Sequence, residues 1–133
     1  MKRNFIIIYN ILALLAFLII GSCDPYKELA EKRAQKAAEL KGDITIGIVG
    51  SSSEKTFFTE GIKMAIEHIN AEGGVLGKKI SPVYYDDKSN VRAGQRVARK
   101  ISENTDIIAV VGHTSSSVAI PVSITYEKTG VLF

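Results

Sequence analysis

Gly112-His113-Thr114-Ser115-Ser116-Ser117 brings four hydroxyls and one imidazole into six consecutive residues. Such hydroxyls, together with the free N–H groups where a helix begins, suit a carboxylate or a phosphate. A single serine capping a helix is the simpler alternative. A cap uses one hydroxyl, and the spacing alone leaves both readings open. Nucleophilic chemistry is poorly supported, because Ser116 lacks a G-x-S-x-G surround and no sequence rule brings His68 or His113 against it. His68 falls within a helical pattern and reads as a surface or satisfied core histidine. Gly73-Gly74-Val75-Leu76-Gly77-Lys78 has one residue too few between its glycines for a phosphate loop and no Ser or Thr after the lysine, so it reads as a turn. Asp86-Asp87 closes a strand pattern, where paired carboxylates more often cap a turn than hold a metal or act as an acid–base pair. No catalytic residue, metal site or cofactor is therefore expected.

The elements that must position the serine run follow from the hydrophobic pattern, which alternates in type from residue 43 onward. Residues 44–49 are β-branched apart from Gly47 and end at Gly50, a buried strand. Across residues 56–70, Phe58, Ile62, Ala65, Ile66 and Ile69 recur at spacings of three and four, the apolar face of a helix. Residues 80–85 form a second strand, with Pro82 predicting a late start or an edge position. A helix over residues 91–102 places Val91, Gly94, Ala98 and Ile101 inward and Arg92, Arg96, Arg99 and Lys100 outward. Residues 106–111 are almost wholly apolar, as a strand covered on both faces should be. A third helix over 115–128 and the start of a fourth strand at 131–133 complete the pattern. The fold class is α/β, a partial doubly wound parallel sheet, and its ligand edge lies beyond the carboxyl ends of the strands. The serine run sits at that edge.

The amino terminus belongs to a different class of segment. Lys2 and Arg3 precede an apolar run over residues 5–20, which is shorter than the roughly 20 residues of a spanning helix and has the form of a signal helix. Ile20-Gly21-Ser22-Cys23 resembles the bacterial lipobox, in which the cysteine is acylated and becomes the first mature residue. The domains expected are a lipoprotein signal peptide at 1–22, a lipidated Cys23 with a charged helical linker at 23–42, and a globular part at 43–133. The linker, rich in Ala, Glu and Lys, reads as a solvated helical tether between lipid and domain. The chain is expected to be exported and membrane-attached, facing the periplasm or exterior. The formal net charge of +3 loses its force once Lys2 and Arg3 are set aside, because 15 basic then face 14 acidic residues. No basic stripe with interleaved aromatics remains, which excludes nucleic acid as a partner. Cys23 stands alone, so no intrachain disulfide can form.

Residues 43–133 resemble the start of the branched-chain amino acid, or leucine-binding, type of periplasmic substrate-binding protein, the two-lobed receptors of ABC importers. The likeness rests on Asn70-x-x-Gly73-Gly74-x-x-Gly77, on Tyr84-Tyr85-Asp86-Asp87, on the run from Gly112-His113 through Ser116-Ser117 and Pro121, and on Tyr126-Glu127 and Gly130-Val131-Leu132. The resemblance implies that Ser115 and Ser116, with Ser117 beside them, bind the α-carboxylate of an amino acid through hydroxyl and backbone N–H groups. It also implies ABC permease subunits as partners, with no bond chemistry. A lipoprotein sensor that uses the same half-lobe to touch a partner protein is the alternative. The stretch between Gly50 and Gly61 is shorter than in leucine-binding members, which leaves side-chain recognition open. The chain ends inside an apolar run, as expected of the amino-terminal fragment of a lobe.

Overall fold

The computed structural model describes residues 24–39, 41–52 and 57–133. The expected signal peptide and Cys23 lie outside the described residues. In chain order the elements are α1 (Pro25–Glu39), β1 (Ile44–Gly50), α2 (Phe58–Ala71), β2 (Ile80–Asp86), α3 (Val91–Glu103), β3 (Ile107–Gly112) and α4 (Ser116–Lys128). The strands form one parallel sheet in the order β2-β1-β3. Leu132 pairs in parallel with Ala109 on the free side of β3, so a fourth strand begins where the apolar pattern placed it. Pro82 sits on the edge strand β2, where a missing ladder donor is tolerated.

The crossovers β1 to β2 and β2 to β3 run in opposite directions across the sheet. With right-handed connections, α2 falls on one face and α3 and α4 on the other. Contacts agree: α3 packs on α4, and α2 touches β1 and β2. The main core therefore lies under α3 and α4, where Val49, Ala98, Ile101, Val110, Val118, Val122 and Tyr126 are buried. Val118, Val122 and Tyr126 recur every fourth residue and give α4 its buried stripe. Gly94 lets the two helices approach, since a Cβ there would stand 2.3 Å from Val118 Cγ1. Ile48 and Ile66 fill the thinner layer beneath α2. Two inward assignments are corrected. Val91 is exposed at the first position of α3, with Ala93 taking the buried place, and Ala65 is exposed on α2.

The Asn70 motif is a structural joint. The Asn70 side chain donates to the Ile80 carbonyl at 2.9 Å and accepts from the Ile80 N–H at 2.7 Å, tying the end of α2 to the start of β2. Between them Val75 and Lys78 close a tight hairpin whose central residues, Leu76 and Gly77, have φ of 53° and 75°.

The solvated tether is also corrected. α1 packs on β3 and α4, and Arg33 in its middle is only 1% exposed. Arg33 Nε donates to the Ile107 carbonyl at 2.7 Å, Nη1 donates to the Thr129 carbonyl, and Nη2 reaches the carbonyls of Ser102 at 2.8 Å and Asn104 at 3.2 Å. These acceptors include the carboxyl ends of α3 and α4, where the helix dipoles favour a cation. Close approach is possible because the facing residues are Ala30 and Gly130; a Cβ on Gly130 would stand 3.2 Å from Ala30. The contact escapes a hydrophobic-pattern reading because it is made by a guanidinium and small residues.

A ligand edge at the switch point of the sheet

In the order β2-β1-β3 the connections leave β1 and β3 in opposite directions, so a crevice opens between their carboxyl ends. Three segments border it: Ser51 and Ser52 after Gly50, the turn at 87–90, and residues 113–115 ahead of α4. Val49 pairs with Gly112 in the last register position of β1 and β3. Gly112 has φ of 149°, and a Cβ on it would lie 2.1 Å from the Val49 carbonyl oxygen. No other residue type fits this crossing of two backbones. The next residue, His113, turns the chain out of the sheet with φ of 54° while its N–H donates to the Val49 carbonyl at 3.0 Å.

The serine run then starts α4. Ser115 stands at the N-cap position with extended backbone, and its side chain makes no capping bond. Its carbonyl accepts from the N–H groups of Val118 and Ala119 at 3.0 and 2.9 Å, which leaves the Ser116 and Ser117 N–H groups among the orphan donors of the first turn. The Ser115 and Ser117 hydroxyls bond each other at 2.8 Å. Ser116 is exposed, and its hydroxyl bonds no described residue. The three serines open α4 together, and no serine side chain makes a capping bond there. The helix dipole adds a partial positive charge at this point, and the first turn of α4 carries no acidic residue.

Asp86 and Asp87 point in different directions. Asp86 accepts from the Ser52 hydroxyl at 2.5 Å, the Ser52 N–H at 3.1 Å and the Lys88 N–H at 2.8 Å. These donors, the Ser52 hydroxyl foremost, hold its carboxyl below the usual carboxylate range. Asp87 is 1% exposed, accepts from the Ser89 N–H at 2.9 Å, and meets His113 Nδ1 at 2.8 Å with its other oxygen. Both carboxylates therefore organise turns, in line with the capping role read from the sequence. Among the described residues no group of three or more His, Cys, Asp or Glu side chains is placed to hold a metal ion.

Sequence reasoning missed that pair and its third partner. His113 Nε2 lies 2.9 Å from the Tyr126 hydroxyl, and all three side chains are buried. Burial lowers the His113 pKa below its ordinary value, only partly opposed by the hydrogen bond and charge of Asp87. Burial, then the charge on Asp87, raises that of Tyr126. The consistent assignment is a neutral imidazole whose Nδ1–H donates to Asp87 and whose Nε2 accepts from the Tyr126 O–H. Asp87, His113 and Tyr126 are 26 and 13 residues apart, and no spacing rule links them. Two clefts of about 380 and 440 Å³ flank α1 at the opposite end of the molecule, away from the serine run.

Comparison with known proteins bears on this edge. Residues 43–133 match the profile of a family described as periplasmic binding protein. The leucine-specific-binding protein of Salmonella typhimurium is 39% identical over 98 residues, covering 70% of this chain and 26% of that one. A substrate-binding protein of an ABC transporter from Desulfitobacterium hafniense, solved in complex with Leu, superposes with a TM-score of 0.64 at 36% identity over 67% of this chain and 27% of its own. A branched-chain amino acid transporter substrate-binding protein from Streptococcus pneumoniae, in complex with isoleucine, gives 0.61 at 31% identity, with the same coverage of 67% and 27%. The chain spans about a quarter of the length of the curated relatives it matches.

Proposed function

The chain belongs to the periplasmic binding protein family, and on that premise we propose that residues 43–133 form one wall of the amino-acid site of an exported receptor serving an ABC importer. The observation that carries this reading is the uncommitted Ser116 hydroxyl beside orphan N–H donors, at the switch point of the sheet. An α-carboxylate placed there accepts from the Ser116 hydroxyl and from the first N–H groups of α4, with the helix dipole aligned in its favour. The chemistry required is capture and release, with no bond made or broken. Relatives whose names specify leucine or isoleucine support a branched aliphatic amino acid as the ligand. The remaining contacts to such a ligand come from a second lobe in the two-lobed architecture.

Ser116→Ala in the full-length protein is expected to weaken leucine binding by about 1.5–3 kcal/mol, roughly 10- to 150-fold, the range for a hydrogen bond to a charged group. Ser117→Ala, which removes a hydroxyl already engaged by Ser115, is expected to cost less. Titration calorimetry on both variants checks this; equal affinities for wild type and Ser116→Ala would move the carboxylate elsewhere.

The same proposal attaches the receptor to the membrane through a lipid on Cys23, supported by the lipobox order of Ile20-Gly21-Ser22-Cys23 behind an apolar run. Cys23→Ser is expected to leave the precursor unprocessed or the protein free of membranes. Mass spectrometry of the mature wild-type protein is the direct check, and an unmodified thiol at Cys23 would remove the anchor.

A further inference from the structure

The buried set Asp87, His113 and Tyr126 lies immediately beneath the serine run, and capture of a carboxylate does not itself use it. Each member comes from a different element: Asp87 follows β2, His113 follows β3, and Tyr126 sits in the last turns of α4. Their hydrogen bonds of 2.8 and 2.9 Å therefore join three parts of the fold at one imidazole. The backbone gives the reason such a joint is needed. His113 is not a glycine, yet it holds φ of 54°, a left-handed conformation that costs an ordinary residue free energy and persists only where its surroundings enforce it. The enforcing contacts are the ones described: the main-chain N–H is fixed on Val49, and the ring is drawn inward by Asp87 and Tyr126. The Phe133 ring closes the remaining side, edge-on at 5.7 Å. With His113 held this way, residues 114–116 leave the sheet in a set direction, and the first N–H groups of α4 point into the crevice.

We propose that His113 is a positioning residue for ligand capture, held by Asp87 and Tyr126 so that the serine run is organised before an amino acid arrives. This rests on the reading of Ser116 as a carboxylate contact. Its mechanism is preorganisation: a loop already ordered in the free protein does not have to be ordered on binding, and affinity rises accordingly. His113 itself touches no ligand. Asparagine is the informative replacement, because it tolerates the left-handed region and carries a short N–H donor able to reach Asp87, although it cannot also reach Tyr126.

The test compares the full-length wild type with His113→Ala, His113→Asn and Tyr126→Phe by amide hydrogen exchange without ligand and by leucine titration. His113→Ala is expected to speed exchange at residues 113, 118 and 119, whose amides bond Val49 and Ser115, by tenfold or more while β1 amides keep their protection, and to weaken leucine binding at least tenfold. His113→Asn should recover a substantial part of both losses. Should His113→Ala fail to fold, Tyr126→Phe carries the comparison, since it keeps the ring and removes only the hydroxyl that His113 accepts from; an intermediate effect on both readouts is expected. Wild-type exchange at 113, 118 and 119 and wild-type affinity in the variants that fold would overturn the proposal and leave the trio as core packing. A wild-type protein that binds no amino acid would instead overturn the carboxylate reading of Ser116, with the exchange readout still deciding what His113 does to the loop.

Discussion

Arg33→Ala is expected to destabilise the lobe by about 3 kcal/mol, one of the larger effects a single substitution outside the sheet can have. The guanidinium serves carbonyls of Ser102, Asn104, Ile107 and Thr129 at one buried point. Its removal leaves those acceptors without their charged donor, and water can replace it only by parting α1 from the lobe. Burial lowers the Arg33 pKa, yet a guanidinium remains charged across the working range of a protein. Among the described residues no carboxylate pairs with that charge, and the partners it has are backbone carbonyls. Arg33→Met keeps the stem and drops both the charge and its desolvation cost, and is expected to fall between the two. Arg33→Lys should not restore the wild type, because one ammonium cannot span acceptors arranged around a planar fork. Urea unfolding of the four proteins measures the series. An Arg33→Ala midpoint equal to wild type would mean that α1 contributes nothing to the cooperative unit.

Gly112→Ala is expected to be about as damaging, and to reach the ligand edge as well. Its Cβ would have to stand 2.1 Å from the Val49 carbonyl oxygen and 2.8 Å from the Val49 nitrogen, both main-chain atoms of the central strand. Main chain in the middle of a sheet yields little, so the end of β3 must move, at a cost of about 3 kcal/mol from overpacking and strain together. The His113 N–H bond to Val49 is lost in that movement, and the serine run loses its point of departure. Gly77→Ala is the control. It has a φ of 75° with nothing within 4 Å of an added Cβ, so only the conformational cost of about 1 kcal/mol applies. Thermal unfolding and leucine titration of the two variants should separate them clearly. A Gly112→Ala protein as stable as Gly77→Ala would show that the crossing of β1 and β3 is looser than its geometry indicates.

The strands and the three helices that follow them were legible because each carries its signal locally. β1 and β3 are short β-branched runs ended by Gly50 and Gly112, and α3 shows Gly94, Ala98 and Ile101 at helical spacing. The strand order, with β1 central, carries no local signal; once it is given, right-handed crossovers fix the face each helix takes. The serine run could be placed because it joins a strand to a helix at a known edge. What stayed hidden was long-range and polar. Arg33 acts on residues 68 to 96 positions away through main-chain oxygens, which every sequence contains at every position. Its only local sign was a helix too poor in large apolar residues to dock by burial, and that sign pointed the wrong way. The histidine joint was hidden similarly: three common residue types meet through topology, and the left-handed backbone of His113 carries no mark in its letter.

The clasp made by Arg33 also separates two meanings of where the lobe begins. The family profile starts at residue 43, whereas the packed structure starts with α1 at residue 25. Tension applied at Asp24 would not run along a slack cord to β1. It would be carried at Arg33 into the carboxyl ends of α3 and α4 and the first residue of β3, the end of the molecule opposite the serine run. The lobe would then be held by its base, like a lamp on a stiff bracket, with its ligand edge facing away from the point of attachment.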